Sequence, residues 1–208
     1  VDRSGGELLV NYLPEDQFPE KFHTDVDPVA ELRSIAADTL DDVSEVRFEP
    51  QVGSTLSARA GNTLTHLLDT EEVASAAVVF GTAPLLSRLQ VDSAAMKLRT
   101  NEVVLGPATE GRTYYAGFTE PVDFSEGFAG IELQRLTNRA GDADLDTEFL
   151  PMSPRIETGR DLLSFLPMLR ARFTAERIVP EHTATFVHDH GLDVTDGDDG
   201  PELVVDGE

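Results

Sequence analysis

Gly81 and Thr82 stand directly after an apolar run and could bind a phosphate group. A glycine beside a hydroxyl residue lets backbone N–H groups approach a phosphate closely, and the threonine hydroxyl adds a donor. The same residues also suit a plain strand-to-helix turn, because glycine has freedom in φ and Pro84 suits the first turn of a helix. From the residues alone, both interpretations stay open.

Glu110, Gly111 and Arg112 form a second candidate after another apolar run. The Glu110 carboxylate is a suitable ligand for a divalent cation such as Mg²⁺ or Mn²⁺, and the Arg112 guanidinium matches the geometry of a diphosphate. The alternative is an exposed turn that carries an ordinary surface ion pair. The spacing fits either interpretation.

Other residues with catalytic potential carry weaker signals. His188 and His190 flank an aspartate, but residues two apart on a helix point to different faces, so a shared metal ion is disfavoured. Tyr114 and Tyr115 alternate faces of a predicted strand, which predicts one tyrosine in the core and one beside the cleft. The chain has no cysteine, so thiolate catalysis and cysteine-bound metals are excluded.

The apolar pattern predicts a scaffold in which strands alternate with helices. Strands are expected where short apolar runs are bounded by glycine, proline or polar residues, at 7–13, 46–48, 74–80, 103–105 and 114–118. Helices are expected where apolar residues recur three or four apart, at 27–40, 56–68, 85–98, 131–140, 160–172 and 180–190. Residues 193–208 are rich in Asp and Gly, which predicts a mobile tail or a loosely attached strand.

This alternation is typical of an α/β fold, a three-layer α/β/α sandwich with a mostly parallel sheet. The runs Ala74–Phe80 and Val103–Leu105 are apolar on both faces, so we expect them at the centre of the sheet. Ligands of open sheets bind beyond the carboxyl ends of the strands. We therefore expect the loops after Phe80 and Leu105 to converge on one cleft that contains Glu110.

The charge of the chain narrows the classes of partner. There are 39 acidic residues against 16 Lys and Arg, for a formal net charge of −23. Such a surface repels polyanions, and the sequence has no basic cluster, so nucleic-acid binding is not expected. No apolar run reaches the roughly 20 residues of a membrane span. Residues 1–6 contain no apolar signal core, and a cytoplasmic protein is expected.

The acidic residues are dispersed over the chain, and the only lysines are Lys21 and Lys97. This composition is typical of salt-loving organisms and favours a halophilic archaeal source. With 208 residues and 40% hydrophobic content, the chain suffices for one globular domain. We expect that domain over residues 1–192, followed by an acidic tail at 193–208.

Five blocks of sequence occur in an order that is similar to one known family. They are Gln51-Val-Gly-Ser-Thr-Leu-Ser-Ala-Arg59, Gly81-Thr-Ala-Pro84, Val103-Val-Leu-Gly-Pro-Ala108 with Glu110-Gly111, Phe128-Ala-Gly-Ile131 and Ile156-Glu-Thr-Gly-Arg-Asp-Leu162. Together they resemble a family of candidate nucleotide-diphospho-sugar transferases with the GT-A glycosyltransferase-like fold. That family is related to the molybdenum-cofactor and phospholactate guanylyltransferases.

The resemblance implies a glycosyl- or nucleotidyl-transferase that uses a nucleotide-activated donor with Mg²⁺ or Mn²⁺. It implies Glu110 as the metal ligand and phosphate contacts at Arg59, Gly81, Thr82, Gly111 and Arg112. The family aspartate expected to anchor metal and diphosphate is replaced by Ala83. The site is therefore expected to be degenerate, and the alternative is a catalytically inactive binding or interaction domain. The family also begins with a strand, a basic loop and a helix that this chain is expected to lack.

We predict that thermal stability rises steeply with KCl concentration. The Debye length falls from about 10 Å at 0.1 M salt to about 3 Å at 1 M, so added salt weakens the repulsion among the excess acidic groups. Melting followed by circular dichroism over this range measures the effect. A melting temperature that stays flat would contradict this interpretation of the charge.

Overall fold

The computed structural model describes residues 5–23 and 26–205. It shows an α/β fold with the strands β1 Leu9–Tyr12, β2 Arg47–Pro50, β3 Ala76–Val79, β4 Val103–Pro107, β5 Thr113–Phe118, β6 Thr147–Phe149, β7 Leu192–Gly197 and β8 Gly200–Val205. The helices are α1 Pro28–Thr39, α2 Leu56–Thr65, α3 Arg88–Lys97, α4 Glu132–Asp142, α5 Gly159–Thr174 and α6 Glu181–Asp189. Within the described ranges, no helix is both long enough and apolar enough to cross a membrane.

Each strand and helix expected from the apolar pattern has a counterpart, with ends set by local capping. The first helix starts with a proline behind the N-cap Asp27, as its sequence predicts. Helix α3 begins at Arg88, later than the expected Leu85, because Ser87 and Gln90 form a capping box. Local side chains thus decide where a helix starts when the apolar pattern does not.

The strands of the described residues form three hydrogen-bonded sheets. β1 and β2 pair in parallel, and β7 and β8 form an antiparallel hairpin. The largest sheet has the order β3-β5-β4-β6. In it, β5 runs antiparallel to both β3 and β4, whereas β4 and β6 are parallel.

This topology corrects the expected three-layer sandwich with one mostly parallel sheet. β4 lies inside the four-stranded sheet as expected, but β3, taken from the run Ala74–Phe80, lies at its end. The cause is the short connection 108–112 between β4 and β5, since a short turn can join only antiparallel neighbours and a parallel pair needs a long crossover. β5 therefore occupies the position between β3 and β4.

The two inner strands of the four-stranded sheet, β4 and β5, are buried on both faces. Val103 and Leu105 pack with buried residues of α2 and α4, among them Leu64 and Leu136. Val104 faces the other side and packs in a cluster with residues of α3. This double burial explains the continuous apolar run of β4.

Both tyrosines of β5 lie in the core, which corrects the expectation that one would line a cleft. Tyr114 is fully buried, and its hydroxyl donates to Pro151 O at 2.9 Å and accepts from Gln90 Nε2 at 3.0 Å. Tyr115 is also buried, and this burial raises its pKa to about 12. Gly106 makes room for the first ring, because a Cβ there would lie 2.7 Å from Tyr114 Cζ.

Residues 193–205 of the segment expected as a mobile tail or a loosely attached strand lie in the β7–β8 hairpin. Leu192 and Val194 pack against the cluster of Phe165 in α5. Arg170 of α5 also pairs with Asp193, with 2.5 Å between Nη1 and Oδ1. The alternation of apolar and acidic residues in this segment is the pattern of a strand with one buried face. Residues 206–208 of the expected tail lie outside the described ranges.

We predict that Leu105→Ala lowers the free energy of unfolding by about 2–5 kcal/mol, because it leaves a cavity in a fully buried position of β4. Leu89→Ala is the matched control, since Leu89 is 78% exposed and should change stability by less than about 0.5 kcal/mol. Urea denaturation in high salt measures both. Equal effects of the two substitutions would contradict the assignment of β4 to the core.

Candidate functional site

The turn between β4 and β5 presents Glu110 at the surface. Ala108 N donates to Arg112 O at 2.8 Å and closes the turn. Glu110 and Gly111 both have left-handed backbone conformations, with φ of 60° and 72°. At Gly111 a side chain would also meet Ile131, since a Cβ would lie 2.9 Å from Ile131 Cγ2. Glycine is therefore required there, and the glutamate conformation stores strain at the candidate site.

Arg112 lies inside the structure and is bonded to a distant segment. Its side chain is only 9% exposed. Both terminal nitrogens donate to the Asp161 carboxylate, Nη1 also donates to Glu157 Oε2 at 3.2 Å, and Nη2 and Nε donate to the hydroxyl and carbonyl of Thr109. The Glu110 carboxylate is farther away, with 3.9 Å between Oε2 and Arg112 Nη2. All five N–H groups of the guanidinium thus have acceptors, and the side chain holds the turn in place.

Asp161 joins this ion pair to the start of α5. Its Oδ2 accepts hydrogen bonds from the N–H groups of Glu157 and Thr158, each at 2.9 Å, and from the Thr158 hydroxyl at 3.1 Å. Burial alone would raise the pKa of Asp161. The hydrogen bonds from Arg112, the two backbone N–H groups and the hydroxyl outweigh burial and hold this pKa well below its usual value.

Arg155 forms a second buried ion pair beside the first. Its Nη1 donates to Thr113 O at 2.9 Å and to Glu132 Oε2 at 2.8 Å, and its Nη2 bonds Glu157. The guanidinium also lies 3.6 Å from the centroid of the Phe80 ring, at the end of the β3 segment. Because Glu157 bonds both Arg155 and Arg112, one continuous network links the ends of β3 and β4 with α4 and α5.

The loops after β3 and β4 are brought together by the segment before α5. Ile156 N donates to Thr82 O at 2.8 Å, and Ser153 N donates to Pro107 O at 3.1 Å. Both loops thus contact the segment 153–156 at the same edge of the sheet, and the cleft expected between them stays a prediction. Gly81 and Thr82 are exposed, and among the described residues their N–H groups have no hydrogen-bond acceptor. Those N–H groups are available to a ligand.

Arg160 is a cation of this region that the sequence analysis missed. It is the second residue of α5, its side chain is 82% exposed, and its Nη1 lies 3.8 Å from Glu110 Oε1. A cation at a helix N-terminus is placed next to free N–H groups that also attract anions. The capping motif Thr158 to Asp161 was the sequence signal that could have located this helix start.

The Arg59 side chain forms no hydrogen bond or ion pair with the other candidate residues among the described ones. It lies in α2, one turn before Thr63, whose hydroxyl donates to Asn11 Oδ1 of β1 at 3.0 Å. Arg59 Nε is shielded from solvent and has no hydrogen-bond partner in the described part of the chain. The residue therefore lies on the β1 side of α2 and keeps its capacity to bind an anion.

Among the described residues near the site, Glu110 is the one candidate metal ligand whose carboxylate is not hydrogen-bonded to a buried arginine. In residues 5–23 and 26–205, no group of three His, Asp or Glu residues is arranged to hold a metal ion. The carboxylates of Glu157 and Asp161 are bonded to Arg112, which leaves Glu110. Mg²⁺ is often held by one or two carboxylates together with substrate phosphates and water. The residues present therefore fit an ion that arrives with a diphosphate, and they do not fit a resident metal centre.

Ala83 is buried where an acidic residue is expected from the resemblance. It packs in an apolar cluster with Ala108 and Tyr114. A carboxylate in this cluster would lose its hydration without gaining a partner from it. The packing is thus adapted to alanine.

A search of solved structures found a similar fold. The chain resembles the crystal structure of a candidate nucleotide-diphospho-sugar transferase from Desulfovibrio desulfuricans G20, with a TM-score of 0.61 and 20% identity over 80% of this chain and 68% of that chain. No protein-family model and no curated protein sequence matches the chain. At this identity the similarity shows a nucleotide-diphospho-sugar transferase-like fold.

We predict that Asp161→Asn destabilises the fold by about 3–5 kcal/mol at neutral pH, because it leaves the buried Arg112 charge with only the partly exposed Glu157 as counter-ion. The pKa of Asp161 is lowered by folding. Its contribution to stability is therefore complete above the unfolded pKa of about 3.9 and is lost as pH falls below that value. Unfolding free energies measured in high salt as a function of pH test both statements.

Asp69→Asn is the matched control, since Asp69 is exposed and its side chain has no partner among the described residues. The difference in stability between the wild type and Asp161→Asn should narrow below about pH 4. A difference that stays constant from neutral pH to pH 3 would show that the ion pair carries no stability of its own.

Proposed function

We propose that this chain is a transferase-like domain that binds a nucleotide or a nucleotide sugar at the carboxyl ends of β3 and β4. The observation that carries the proposal is the bond from Ile156 N to Thr82 O, which ties the exposed turn of Gly81 and Thr82 to the segment before α5, where Arg160 lies beside Glu110. Backbone N–H groups at a turn and at a helix N-terminus are typical diphosphate contacts. The transferase-like fold of the similar structure supports the same location.

Each residue of the site has a separate role in this proposal. Gly81 and Thr82 supply N–H donors and a hydroxyl to a phosphate, and Arg160 supplies positive charge to the same group. Gly111 lets the turn adopt its left-handed conformation. Arg112 acts as a positioning residue, because all of its N–H groups are used within the protein.

Arg59 is proposed as a further phosphate contact, since it lacks a counter-ion in the described part of the chain. A diphosphate bound at the ends of β3 and β4 would have to extend toward the start of α2 to reach it. Separate substitutions of Arg59 and Arg160 would therefore distinguish the contributions of the two residues to binding.

Mg²⁺ or Mn²⁺ would enter with the diphosphate and be held by Glu110 together with phosphate oxygens. The ion would neutralise charge on the leaving phosphates. Positioning and charge neutralisation supply most of the catalysis in transfer from nucleotides, so the side chains need perform little covalent chemistry. With one carboxylate available, transfer of a glycosyl or nucleotidyl group is expected to be weak.

The second candidate function is a binding or interaction domain without catalysis. The buried Ala83 favours it, because the acidic position implied by the resemblance is occupied by an apolar contact. The two candidates share the ligand site and differ in turnover. Measurement of product formation therefore separates them.

The acidic composition supports one further proposal, that the protein works in the cytoplasm of a salt-loving archaeon. The formal net charge of −23 with scarce lysine is its support.

We predict that UDP or GDP binds in molar KCl with Mg²⁺, and that Arg160→Ala weakens this binding by roughly tenfold, as expected for one charged hydrogen bond. Isothermal titration calorimetry of the full chain measures the dissociation constants. Arg99→Ala is the matched control, because Arg99 is exposed and lies before the amino end of β4. Nucleotide binding that is insensitive to Arg160→Ala would remove the proposed site.

We predict that Glu110→Gln abolishes the gain in affinity that Mg²⁺ provides and leaves binding without metal unchanged or stronger, since a negative charge is removed beside the phosphates. Glu120→Gln, at an exposed position after β5, should have no effect. Robust metal-dependent transfer or hydrolysis of a nucleotide sugar, lost in Glu110→Ala, would show that the site is complete and not degenerate.

A further inference from the structure

A separate cleft lies between α2 and residues 122–126. Its volume is about 420 Å³, and seven of its eleven lining residues are polar. None of the residues proposed to bind a nucleotide lines it. The volume is in the range of small-molecule sites in proteins, which is roughly 300–1,000 Å³.

One wall of the cleft is a loop held in place by two arginines of α4. Arg139 Nη1 lies 3.0 Å from Asp123 Oδ2. Arg135 Nη1 lies 3.2 Å from Glu126 Oε2 and donates to Glu126 O at 3.1 Å. These contacts favour the observed conformation of the loop, and a preformed wall reduces the entropy cost of binding.

The other wall is the polar face of α2, where hydroxyl groups have unused hydrogen-bonding capacity. Ser57 is 4% exposed, and its Oγ accepts from Phe128 N at 3.0 Å. In the described part of the chain, the O–H of Ser57 has no acceptor and the Thr65 hydroxyl has no partner. Buried hydroxyl groups in folded proteins are nearly always satisfied. An acceptor inside the cleft would satisfy the buried Ser57 and give a partner to the half-buried Thr65 hydroxyl.

The lining residues restrict the chemistry of that acceptor. No Lys, Arg or His lines the cleft, so it has no cationic side chain for an anion. The two lining carboxylates, Asp123 and Glu126, are already paired with arginines of α4, which removes the attraction for a cation. An apolar ligand would leave the hydroxyl groups of α2 unpaired, at a cost in desolvation.

We propose that this cleft binds an uncharged polyhydroxylated molecule of the size of a monosaccharide. Such a molecule offers acceptors to the hydroxyl groups of Ser57 and Thr65 and donors to the loop carboxylates. The proposal rests on the cleft alone and is independent of nucleotide binding at Glu110 and Arg160.

Saturation-transfer NMR with glucose, mannose, galactose and xylose on the full chain tests the proposal. At least one of the four sugars should receive saturation from the wild-type protein. Thr65→Val removes the free hydroxyl at constant volume and should weaken the binding of that sugar severalfold. Thr65→Phe fills the cleft and should abolish sugar binding. Both variants should fold, because Thr65 is not in the core and its side chain makes no hydrogen bond that would be lost. Thr174→Val, at the exposed end of α5, is the matched control.

Absence of saturation transfer to all four sugars would overturn the proposal. Transfer that persists in Thr65→Phe would also overturn it, since the sugar would then contact another surface. Arg160→Ala should leave sugar binding unchanged while it weakens nucleotide binding. Loss of sugar binding in Arg160→Ala would show that the sugar occupies the nucleotide site and would equally overturn the proposal.

Discussion

The buried ion pair between Arg112 and Asp161 is the interaction on which the candidate site depends. Removing two charges from water costs several kcal/mol for each ion, and only good geometry with further hydrogen bonds compensates for it. Here the arginine has an acceptor for every N–H group, and the carboxylate also accepts from two backbone N–H groups and a hydroxyl. The same pair fixes the Glu110 turn and caps α5, so the position of the site follows from it.

This network also limits the chemistry of the site. The chain has an excess of acidic residues, yet the carboxylates nearest to Glu110 are bonded to Arg112 and Arg155. A metal ion there competes with guanidinium groups that are part of the fold. The site therefore offers backbone N–H groups and one exposed carboxylate, which suits recognition of a diphosphate better than assembly of a metal centre.

The elements of the fold could be predicted from the sequence, because apolar runs such as Val103–Leu105 require burial on both faces. The order of the strands could not, since it depends on the tight turn after β4 and not on the apolar pattern. That the loops after β3 and β4 lie at the same edge of the sheet was also predictable from general rules for α/β sheets. The partner of Arg112 was not, because Asp161 lies 49 residues further along the chain. An ion pair of this kind leaves no local signal in one sequence.

Amide chemical shifts of the ¹⁵N-labelled chain, titrated with UDP and Mg²⁺ in molar KCl, test the central claim most directly. The account predicts that the largest shifts fall on Gly81, Thr82, Gly159 and Arg160, whose N–H groups lie at the carboxyl ends of β3 and β4 or at the start of α5. Large shifts confined to another surface, with these four amides unchanged, would contradict it.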